Sequence, residues 1–461
     1  MKDLLRADRD EPATPLHVVD KTDFSDWLAT QTTQVRATLA AQTFEGEANA
    51  VAIVPGEGPD GVAIVVGVGD AGALGPWCLA RAAEKLAAGT YRVVGRAPGA
   101  ASLGWLLAQH RFDRYKTGDA TGARVLLTQD VAGIESQVAI AEAVALVRDM
   151  VDTPAADMGP QQMEDAVADA AKTFGGTLTV TRGDALEREY PMIAAVGRAA
   201  TRPYAPRMIE LEWGDPAHSR IAIVGKGVSF DSGGLDIKPA SGMRLMKKDM
   251  GGAAHAIALA RLVMGAGLPV RLHLLIPAAE NAIAGDAFRP GDILRSRAGL
   301  SVEIHNTDAE GRLLLADALT RASENTPELT IDFATLTGAA RTALGPDLPA
   351  LFCDDEALSA ALLAAGVREQ DPVWRLPLWA GYADMLKSDV GDLSNALDSP
   401  FAGAITAALF LKRFVPDGAA WAHLDTFAWM AADKPGRPKG GEALGLRAAW
   451  WMLRERYAAA Q

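Results

Sequence analysis

The stretch HNTDAEGRLL, residues 305–314, decides the fold because it joins a strand to a helix. Before it, residues 300–304 alternate between apolar and polar side chains, as a half-buried strand does. After it, apolar residues recur at helical spacing over residues 313–325. A strand that leads into a helix is typical of α/β proteins, in which ligands bind outside the carboxyl ends of the strands. We therefore expect a binding site at this junction.

Two carboxylates and a guanidinium occupy alternate positions of this stretch. Asp308, Glu310 and Arg312 are spaced two residues apart, and such side chains share a direction on an extended chain but not on a helix. They can converge only if the segment is extended or looped. The residues alone also allow a plainer interpretation, in which Asp308 caps the helix and Glu310 pairs with Arg312 in solvent.

A glycine-rich segment follows a second apolar run. Residues 221–224, IAIV, are typical of a buried strand, and they lead into GKGVSFDSGG at residues 225–234. Four glycines there allow the backbone to turn tightly around a small ligand. Further along, KKDMGG at residues 247–252 opens a helical pattern, and its Asp249 stands where a helix N-cap would be.

Four carboxylates therefore stand at the ends of predicted elements, namely Asp231, Asp249, Asp308 and Glu310. Carboxylate oxygens are hard ligands that suit Mn, Mg or Zn. Two such ions about 3.5–4 Å apart would share a bridging carboxylate and a bridging water. The four residues together thus predict a site for a pair of divalent cations.

Three longer blocks carry a resemblance to a known family. They are GKGVSFDSGGLDIKPASGMRLMKKDMGGAA at residues 225–254, NTDAEGRL at 306–313 and ATLTGA at 334–339. In order and spacing they resemble the leucine aminopeptidase family of dinuclear metallopeptidases, also called cytosol aminopeptidases, over roughly residues 140–430. The resemblance implies an enzyme that hydrolyses the N-terminal residue from peptides with a free α-amine. It would use two divalent metal ions and a water that bridges them.

The resemblance also implies a ligand set for each ion. One ion would be held by Lys226, Asp231, Asp249 and Glu310, and the other by Asp231, Asp308 and Glu310 with the Asp308 backbone carbonyl. The ions would be Mn or Zn, with Mg and Co as further candidates. Because an ammonium group cannot coordinate, nearby cations must lower the pKa of Lys226 until its neutral amine is available.

Two cationic residues take catalytic roles by the same resemblance. Lys238 would stabilise the oxyanion that forms when the scissile carbonyl is attacked. Arg312 would hold a bicarbonate that acts as general base, since its planar fork binds a planar anion through two parallel hydrogen bonds.

The substrate pocket is implied by resemblance as well, and one of its residues departs from the family pattern. The backbone carbonyl of Leu336 would position the peptide, and Phe427 stands where the family usually has a small residue, often alanine. If the Phe427 ring points inward, the pocket shrinks, so we expect a bias toward smaller or flat first side chains. Arg244 and Lys248 also replace residues that are more often acidic or small. The residues implied to line the pocket are Met246, Thr335, Gly338, Phe427 and Met430.

The length of 461 residues favours two domains. Strand-like runs at residues 51–54, 62–68, 91–94 and 124–127 alternate with helical patterns and predict an N-terminal α/β domain over residues 1–140. A linker helix is expected over residues 141–155. Residues 156–461 would form a larger catalytic domain with a mixed, mostly parallel sheet flanked by helices.

A glycine motif in the first domain is compatible with a different function, dinucleotide binding. Residues 67–72, GVGDAG, fit the dinucleotide-binding pattern G-x-G-x-x-G after a predicted strand. However, Pro76 disturbs the helix that should follow, and the next strand carries Arg92 and Arg96 without an acidic partner for a ribose. We interpret the motif as a tight turn.

Composition bounds the location and the partners. Two cysteines, Cys78 and Cys353, make no disulfide framework, and the first residues contain no apolar signal region, so a cytoplasmic location is expected. No membrane segment is predicted, and the net charge of −13 makes nucleic-acid binding an unexpected role. The resemblance implies a homo-hexamer. The alternative from another class is an oligomeric binding or DNA-interacting protein with secondary peptidase activity.

Overall fold

The computed structural model describes residues 1–116, 118, 121–397 and 399–458, which form two compact units. The first unit comprises Met1–Ala145 and Ala432–Lys439. The second comprises Leu146–Ala431 and the described residues from Gly440 onward. None of the helices within the described ranges is long and apolar enough to cross a membrane.

The first unit is built on a six-stranded sheet in the order β1-β6-β5-β2-β4-β3, in which only the β3–β4 pair is antiparallel. Its strands are β1 (Leu5–Ala7), β2 (Thr14–Asp20), β3 (Val51–Pro55), β4 (Val62–Val68), β5 (Gly89–Val93) and β6 (Arg124–Thr128). Its helices are α1 (Phe24–Ala29), α2 (Thr33–Ala41), α3 (Ala80–Lys85) and α4 (Ala101–Leu107). Helix α5 (Val131–Asp152) begins in this unit and ends in the second.

The glycine motif of the first unit forms a turn, as the sequence indicated. Strand β4 ends at Val68, and the next helix begins only at Ala80, so no helix N-terminus follows the glycines. Gly67 is needed for packing, because a Cβ atom there would lie 2.0 Å from the carbonyl oxygen of Glu47. The dinucleotide-binding interpretation lacks its structural context.

The second unit contains a larger mixed sheet in the order β16-β15-β18-β14-β9-β11-β8-β7, with β10 also paired to β11. Its strands are β7 (Thr177–Arg182), β8 (Arg207–Trp213), β9 (Ser219–Gly225), β10 (Gly227–Asp231), β11 (Val270–Asn281), β14 (Leu329–Ala334), β15 (Ala350–Phe352), β16 (Trp374–Arg375) and β18 (Trp421–Asp425). Two small sheets use β12 (Ile293–Arg295), β13 (Ser301–Glu303) and β17 (Leu393–Ser394), and β19 (Trp429–Met430) with β20 (Gly440–Gly441). The central strands β18, β14, β9 and β11 are parallel, which confirms the predicted fold class.

Helices flank the sheet of the second unit. They are α6 (Pro160–Phe174), α7 (Gly183–Glu189), α8 (Pro191–Gly197), α9 (Ala240–Met243), α10 (Gly251–Gly265), α11 (Gly311–Ser323), α12 (Gly338–Leu344), α13 (Glu356–Arg368), α14 (Gly403–Lys412) and α15 (Leu446–Tyr457). Short 3₁₀ helices span Lys2–Leu4 in the first unit and Ala155–Asp157, Arg202–Tyr204, Met246–Met250 and Ala380–Leu386 in the second. The central strands are buried along nearly their whole length, as continuous apolar runs predict for a sheet covered on both faces.

Small residues let α10 approach the sheet closely. A Cβ atom on Gly252 would lie 2.2 Å from the carbonyl oxygen of Phe333 in β14. A Cβ atom on Gly225, at the end of β9, would lie 2.6 Å from the carbonyl oxygen of Gly252. This close packing fixes the first turn of α10 against the carboxyl ends of β9 and β14, the edge at which the candidate site lies.

Candidate metal centre

Several loops at this edge carry the candidate ligands. Lys226 follows β9, Asp231 ends β10, Asp249 lies in the 3₁₀ helix before α10, and Asp308 and Glu310 lie in the loop between β13 and α11. All of them except Asp308 are at most 3% exposed. The strand-to-helix junction predicted at residues 305–314 is confirmed, because β13 ends at residue 303 and α11 begins at residue 311.

Three of the carboxylates converge closely enough to share a cation. Asp231, Asp308 and Glu310 each offer one oxygen, and these oxygens lie within 4.8 Å of one another. Two of the three residues are fully buried. Clustered carboxylate oxygens of this kind are the donor set that hard divalent cations prefer.

The hydrogen-bonding state of the carboxylates also fits a cation. The buried oxygens Asp249 Oδ2, Asp308 Oδ1 and Glu310 Oε1 accept no well-directed hydrogen bond. A buried carboxylate oxygen without a hydrogen bond is costly unless a positive charge compensates it. The three atoms are therefore suited to coordinate metal.

Two lysines supply positive charge to the same oxygens. Lys226 Nζ lies 2.8 Å from Asp249 Oδ2 and 3.0 Å from Glu310 Oε1, and it donates a hydrogen bond to the carbonyl oxygen of Thr335. Lys238 Nζ lies 2.8 Å from Asp231 Oδ2 and also contacts Asp308 Oδ1. Each lysine thus bridges two candidate metal ligands.

The pKa shifts of the carboxylates reflect their burial first and the repulsion between their charges second. Burial and the neighbouring Asp231 raise the pKa of Asp308 to about 6, and the same two causes raise the pKa of Glu310 well above its usual range. Burial alone would lower the pKa of Lys226, but the charges of Asp249 and Glu310 outweigh it and raise that pKa. Positive charge beyond that of the two lysines would therefore favour the ionised forms of Asp308 and Glu310.

Neighbouring groups hold the carboxylates in place. Asp231 Oδ1 accepts hydrogen bonds from the backbone N–H of Gly233 and from Asn281 Nδ2, each at 2.9 Å. Thr335 Oγ1 donates to Asp249 Oδ1 at 2.8 Å. Such outer contacts orient metal ligands. The sequence did not assign this role to Asn281, although its position at the end of a buried apolar strand was a usable signal.

Arg312 lies in the wall of the same site. Its Nη1 donates to the carbonyl oxygen of Asn395, while its buried Nε has no hydrogen-bond partner among the described residues. Burial lowers the pKa of Arg312 to about 10, so the guanidinium remains a cation at neutral pH. An anion in the cavity could accept hydrogen bonds from it.

A cavity of about 480 Å³ contains most of the predicted site residues. Two predicted residues, Met430 and Glu310, do not belong to the cavity lining. Each of them is 1% exposed. Phe427 does line the cavity, with Lys248 Nζ and Arg341 Cζ each 4.8 Å from its ring centroid. The predicted residues in the lining are Lys226, Asp231, Lys238, Met246, Asp249, Asp308, Arg312, Thr335, Leu336, Gly338 and Phe427.

The plainer interpretations of the acidic residues are wrong. The N-cap residue of α10 is Met250 rather than Asp249, because a 3₁₀ turn precedes the helix. The N-cap residue of α11 is Glu310 rather than Asp308, and its side chain makes no capping hydrogen bond. Glu310 is 1% exposed, so it forms no solvated pair with Arg312.

A mixed α/β sheet with a buried acidic cluster at the carboxyl ends of its strands defines a metal-dependent enzyme of the α/β class. The sequence model described as "Cytosol aminopeptidase family, catalytic domain" matches residues 145–449, and that described as "M17 aminopeptidase, N-terminal domain" matches residues 14–128. The chain belongs to the cytosol aminopeptidase family.

Similar proteins agree with this assignment. A probable cytosol aminopeptidase of Syntrophotalea carbinolica is 42% identical over 362 residues, covering 75% of this chain and 72% of the relative. The crystal structure of a cytosol aminopeptidase from Coxiella burnetii is 43% identical, with a TM-score of 0.93 over 99% of this chain and 100% of that one. The bottromycin maturation enzyme BotP in complex with Mn is 32% identical, with a TM-score of 0.85 over 98% of this chain and 99% of that one.

These comparisons confirm the resemblance found in the sequence blocks. The chain is an aminopeptidase, a hydrolase of peptide bonds, and its family is metal-dependent. The alternative of a binding or DNA-interacting protein with secondary peptidase activity finds no support in them.

Proposed function

We propose that this aminopeptidase hydrolyses the N-terminal residue of peptides at a pair of divalent ions. Lys226, Asp231, Asp249 and Glu310 would hold one ion, and Asp231, Asp308 and Glu310 would hold the other together with the Asp308 backbone carbonyl. The observation that carries the proposal is the convergence of Asp231, Asp308 and Glu310 oxygens within 4.8 Å. A divalent ion in such a site polarises a carbonyl oxygen and lowers the pKa of water.

The choice of ion follows from the ligand chemistry. Oxygen ligands with a single amine suit Mn or Zn, and Mg and Co remain candidates. The Mn complex of BotP, a similar protein, supports Mn. Lys226 is an ammonium ion while it pairs with Asp249 and Glu310, so binding of an ion at this position must release its proton.

Lys238 is proposed to stabilise negative charge on the substrate. Its ammonium group lines the cavity and is 13% exposed, so it can be reached by a bound peptide. Asp231 and Asp308 hold the ammonium in place. Burial alone would lower the pKa of Lys238, but these two carboxylates outweigh it and raise that pKa, so the ammonium stays protonated. A fixed donor of this kind stabilises a developing oxyanion more than it stabilises a neutral carbonyl.

Arg312 is proposed to hold a bicarbonate that accepts a proton during the reaction. The unpaired Nε and the position in the cavity wall support this role. The Asn395 carbonyl oxygen engages one end of the guanidinium and thereby fixes its orientation. A planar anion could then form two parallel hydrogen bonds with the free edge.

The remaining site residues are proposed to position the peptide. The Leu336 carbonyl and the Thr335 segment would bind its backbone, and Met246, Gly338 and Phe427 would contact the first side chain, since all of them line the cavity. Met430 is proposed as a buried part of the same pocket. The ring of Phe427 in the lining supports a bias toward smaller or flat first side chains.

We also propose that the chain acts as a homo-hexamer in the cytoplasm. The similar proteins are named cytosol aminopeptidases, which supports the location. Light scattering on the purified chain tests the assembly, because a hexamer of a 48.4 kDa chain differs clearly from smaller species.

Release of the first residue from a panel of aminoacyl anilides tests the reaction. We expect turnover that depends on added Mn and is absent for N-acetylated substrates, because the α-amine must be free. Glu310→Ala should abolish turnover, whereas Glu356→Ala, which changes an 82% exposed carboxylate, should not. Turnover that persists in a strong chelator or with Glu310→Ala would contradict the proposal.

A further inference from the structure

Lys248 is a buried cation that lacks a counter-ion. It is 5% exposed and lines the cavity beside the candidate metal ligands. Its ammonium forms no ion pair and no hydrogen bond with any described side chain, and it lies 4.8 Å from the ring centroid of Phe427. Few buried lysines lack an anionic or polar partner, since an uncompensated charge is costly to bury.

The two carboxylates whose charges act on Lys248 are engaged elsewhere. Asp249 uses Oδ2 for Lys226 and Oδ1 for the Thr335 hydroxyl. Asp425 accepts hydrogen bonds from the backbone N–H groups of residues 336 and 337 and from the Thr337 hydroxyl. Both therefore attract Lys248 from a distance without pairing with it.

A second cation lies at the same wall. Arg341 lines the cavity, its guanidinium lies 4.8 Å from the Phe427 ring centroid, and it too forms no ion pair within the described parts of the chain. Two unpaired cations on one aromatic ring repel each other, so an anion between or beside them would relieve both. The described chain offers no free carboxylate at this place.

We propose that Lys248 and Arg341 form a recognition site for a substrate carboxylate, so that, among the first side chains that the Phe427 ring leaves room for, the enzyme prefers those of aspartate and glutamate. This inference rests on the proposed function, because that function places the first side chain of the peptide against Phe427. Lys248 Nζ and Arg341 Cζ each lie 4.8 Å from the ring centroid of the same Phe427. The first side chain is therefore the group that reaches this wall.

The preference is tested with anilides of glutamate and glutamine on the manganese-loaded full chain. The two side chains have nearly the same shape, so their ratio of kcat/KM isolates the charge. We expect a ratio of about tenfold or more in favour of glutamate, as for a partly buried ion pair. Lys248→Met should bring the ratio close to one, and Lys248→Arg should retain most of it.

Matched variants separate recognition from a general loss of charge. Lys247→Met removes a neighbouring lysine that does not line the cavity and instead binds the Asp152 carbonyl, so the ratio should stay high. Arg341→Met should lower the ratio less than Lys248→Met, because Arg341 is exposed to solvent. If Lys248→Met fails to fold, Arg341→Met and Lys248→Arg still decide the question.

Calorimetry of free glutamate and glutamine gives a readout that does not depend on turnover. Glutamate should bind at least about tenfold more tightly, and Lys248→Met should remove the difference. Equal binding and equal turnover of the two residues would overturn the inference while leaving the proposed function in place. Failure of every anilide would overturn the proposed function, and calorimetry would still decide the specificity.

One other carboxylate could reach the same cations, namely the C-terminal carboxylate of a dipeptide. Comparison of Leu-Gly with its C-terminal amide tests this source. We expect Lys248→Met to leave the ratio of kcat/KM between the free-acid dipeptide and its amide unchanged. If Lys248→Met selectively lowers kcat/KM for the free-acid dipeptide, the assignment to the first side chain is overturned.

Discussion

At the scale of single residues, the proposed ligand set requires the largest change of Lys226, which would lose a proton when a metal binds. As an ammonium it compensates two buried carboxylates, Asp249 and Glu310, at 2.8 and 3.0 Å. As a ligand it must be neutral, and the ion must then compensate the same carboxylates. In the proposed site the lysine thus compensates the carboxylates without metal and becomes a ligand with metal.

Lys226→Met should separate these two roles. With excess Mn, the variant is expected to hold one ion per chain rather than two, because Asp231, Asp308 and Glu310 are retained. Without metal, its free energy of unfolding should fall by about 3–5 kcal/mol, since removal of one partner leaves buried charges unpaired. Metal analysis after gel filtration and denaturant unfolding measure the two effects. Lys387→Met, at a 72% exposed lysine, serves as control, and two retained ions would contradict the ligand role.

The contacts that orient the proposed ligands were the least predictable part of the site. Asn281 donates to Asp231, which lies 50 positions away in the sequence, and Thr335 donates to Asp249 across 86 positions. Such contacts depend on which strands become neighbours in the sheet. The sequence motifs predict the chemical groups, whereas the pairing of β10 with β11 brings Asn281 to its partner.

At the scale of elements, a buried polar pair joins β14 to β18. Asp332 and His423 are register partners, and His423 Nδ1 lies 2.5 Å from Asp332 Oδ1. Trp421 Nε1 donates to the other carboxylate oxygen at 2.7 Å. Both members of the pair are fully buried, so together they fix the register of two strands whose carboxyl ends border the site.

The pair should make stability depend on pH. Burial alone would lower the pKa of His423, but Asp332 outweighs it and raises that pKa above the usual 6.5. A raised pKa means that the charged pair contributes fully below pH 6.5 and that its contribution is lost as the pH rises through the folded-state pKa. His423→Gln should therefore cost about 3–5 kcal/mol below pH 6.5 and less at higher pH.

Denaturant midpoints of the native chain and the variant, taken across pH 5.5 to 9 or so, measure this dependence. His218→Gln changes an exposed histidine, so its difference in stability from the native chain should not shrink as the pH rises. If the difference between the native chain and His423→Gln is independent of pH, the pair does not carry the charge assigned to it.

At the scale of the whole molecule, the sequence predicted the strands and the α/β class because continuous apolar runs and glycine-rich junctions are local patterns. The membership of residues 432–439 in the first unit is not a local property. Gly436 N–H donates to Glu84 at 2.7 Å, and the Arg437 guanidinium lies 4.7 Å from the Trp77 ring centroid. These contacts join residues about 350 positions apart, and no periodicity within residues 432–439 indicates them.

Removal of the metal should lower the unfolding temperature of the whole chain without unfolding it at ambient temperature. An ion that binds only the folded state adds about 2.7 kcal/mol when its concentration is 100 times its dissociation constant. The fold should nevertheless persist without it, because Lys226 and Lys238 compensate the same carboxylates. Differential scanning calorimetry with chelator and with restored Mn tests both statements. The ligand assignment predicts that Glu310→Ala loses most of this stabilisation, whereas Glu356→Ala keeps it. If chelator does not change the unfolding temperature of the native chain, the acidic cluster holds no ion.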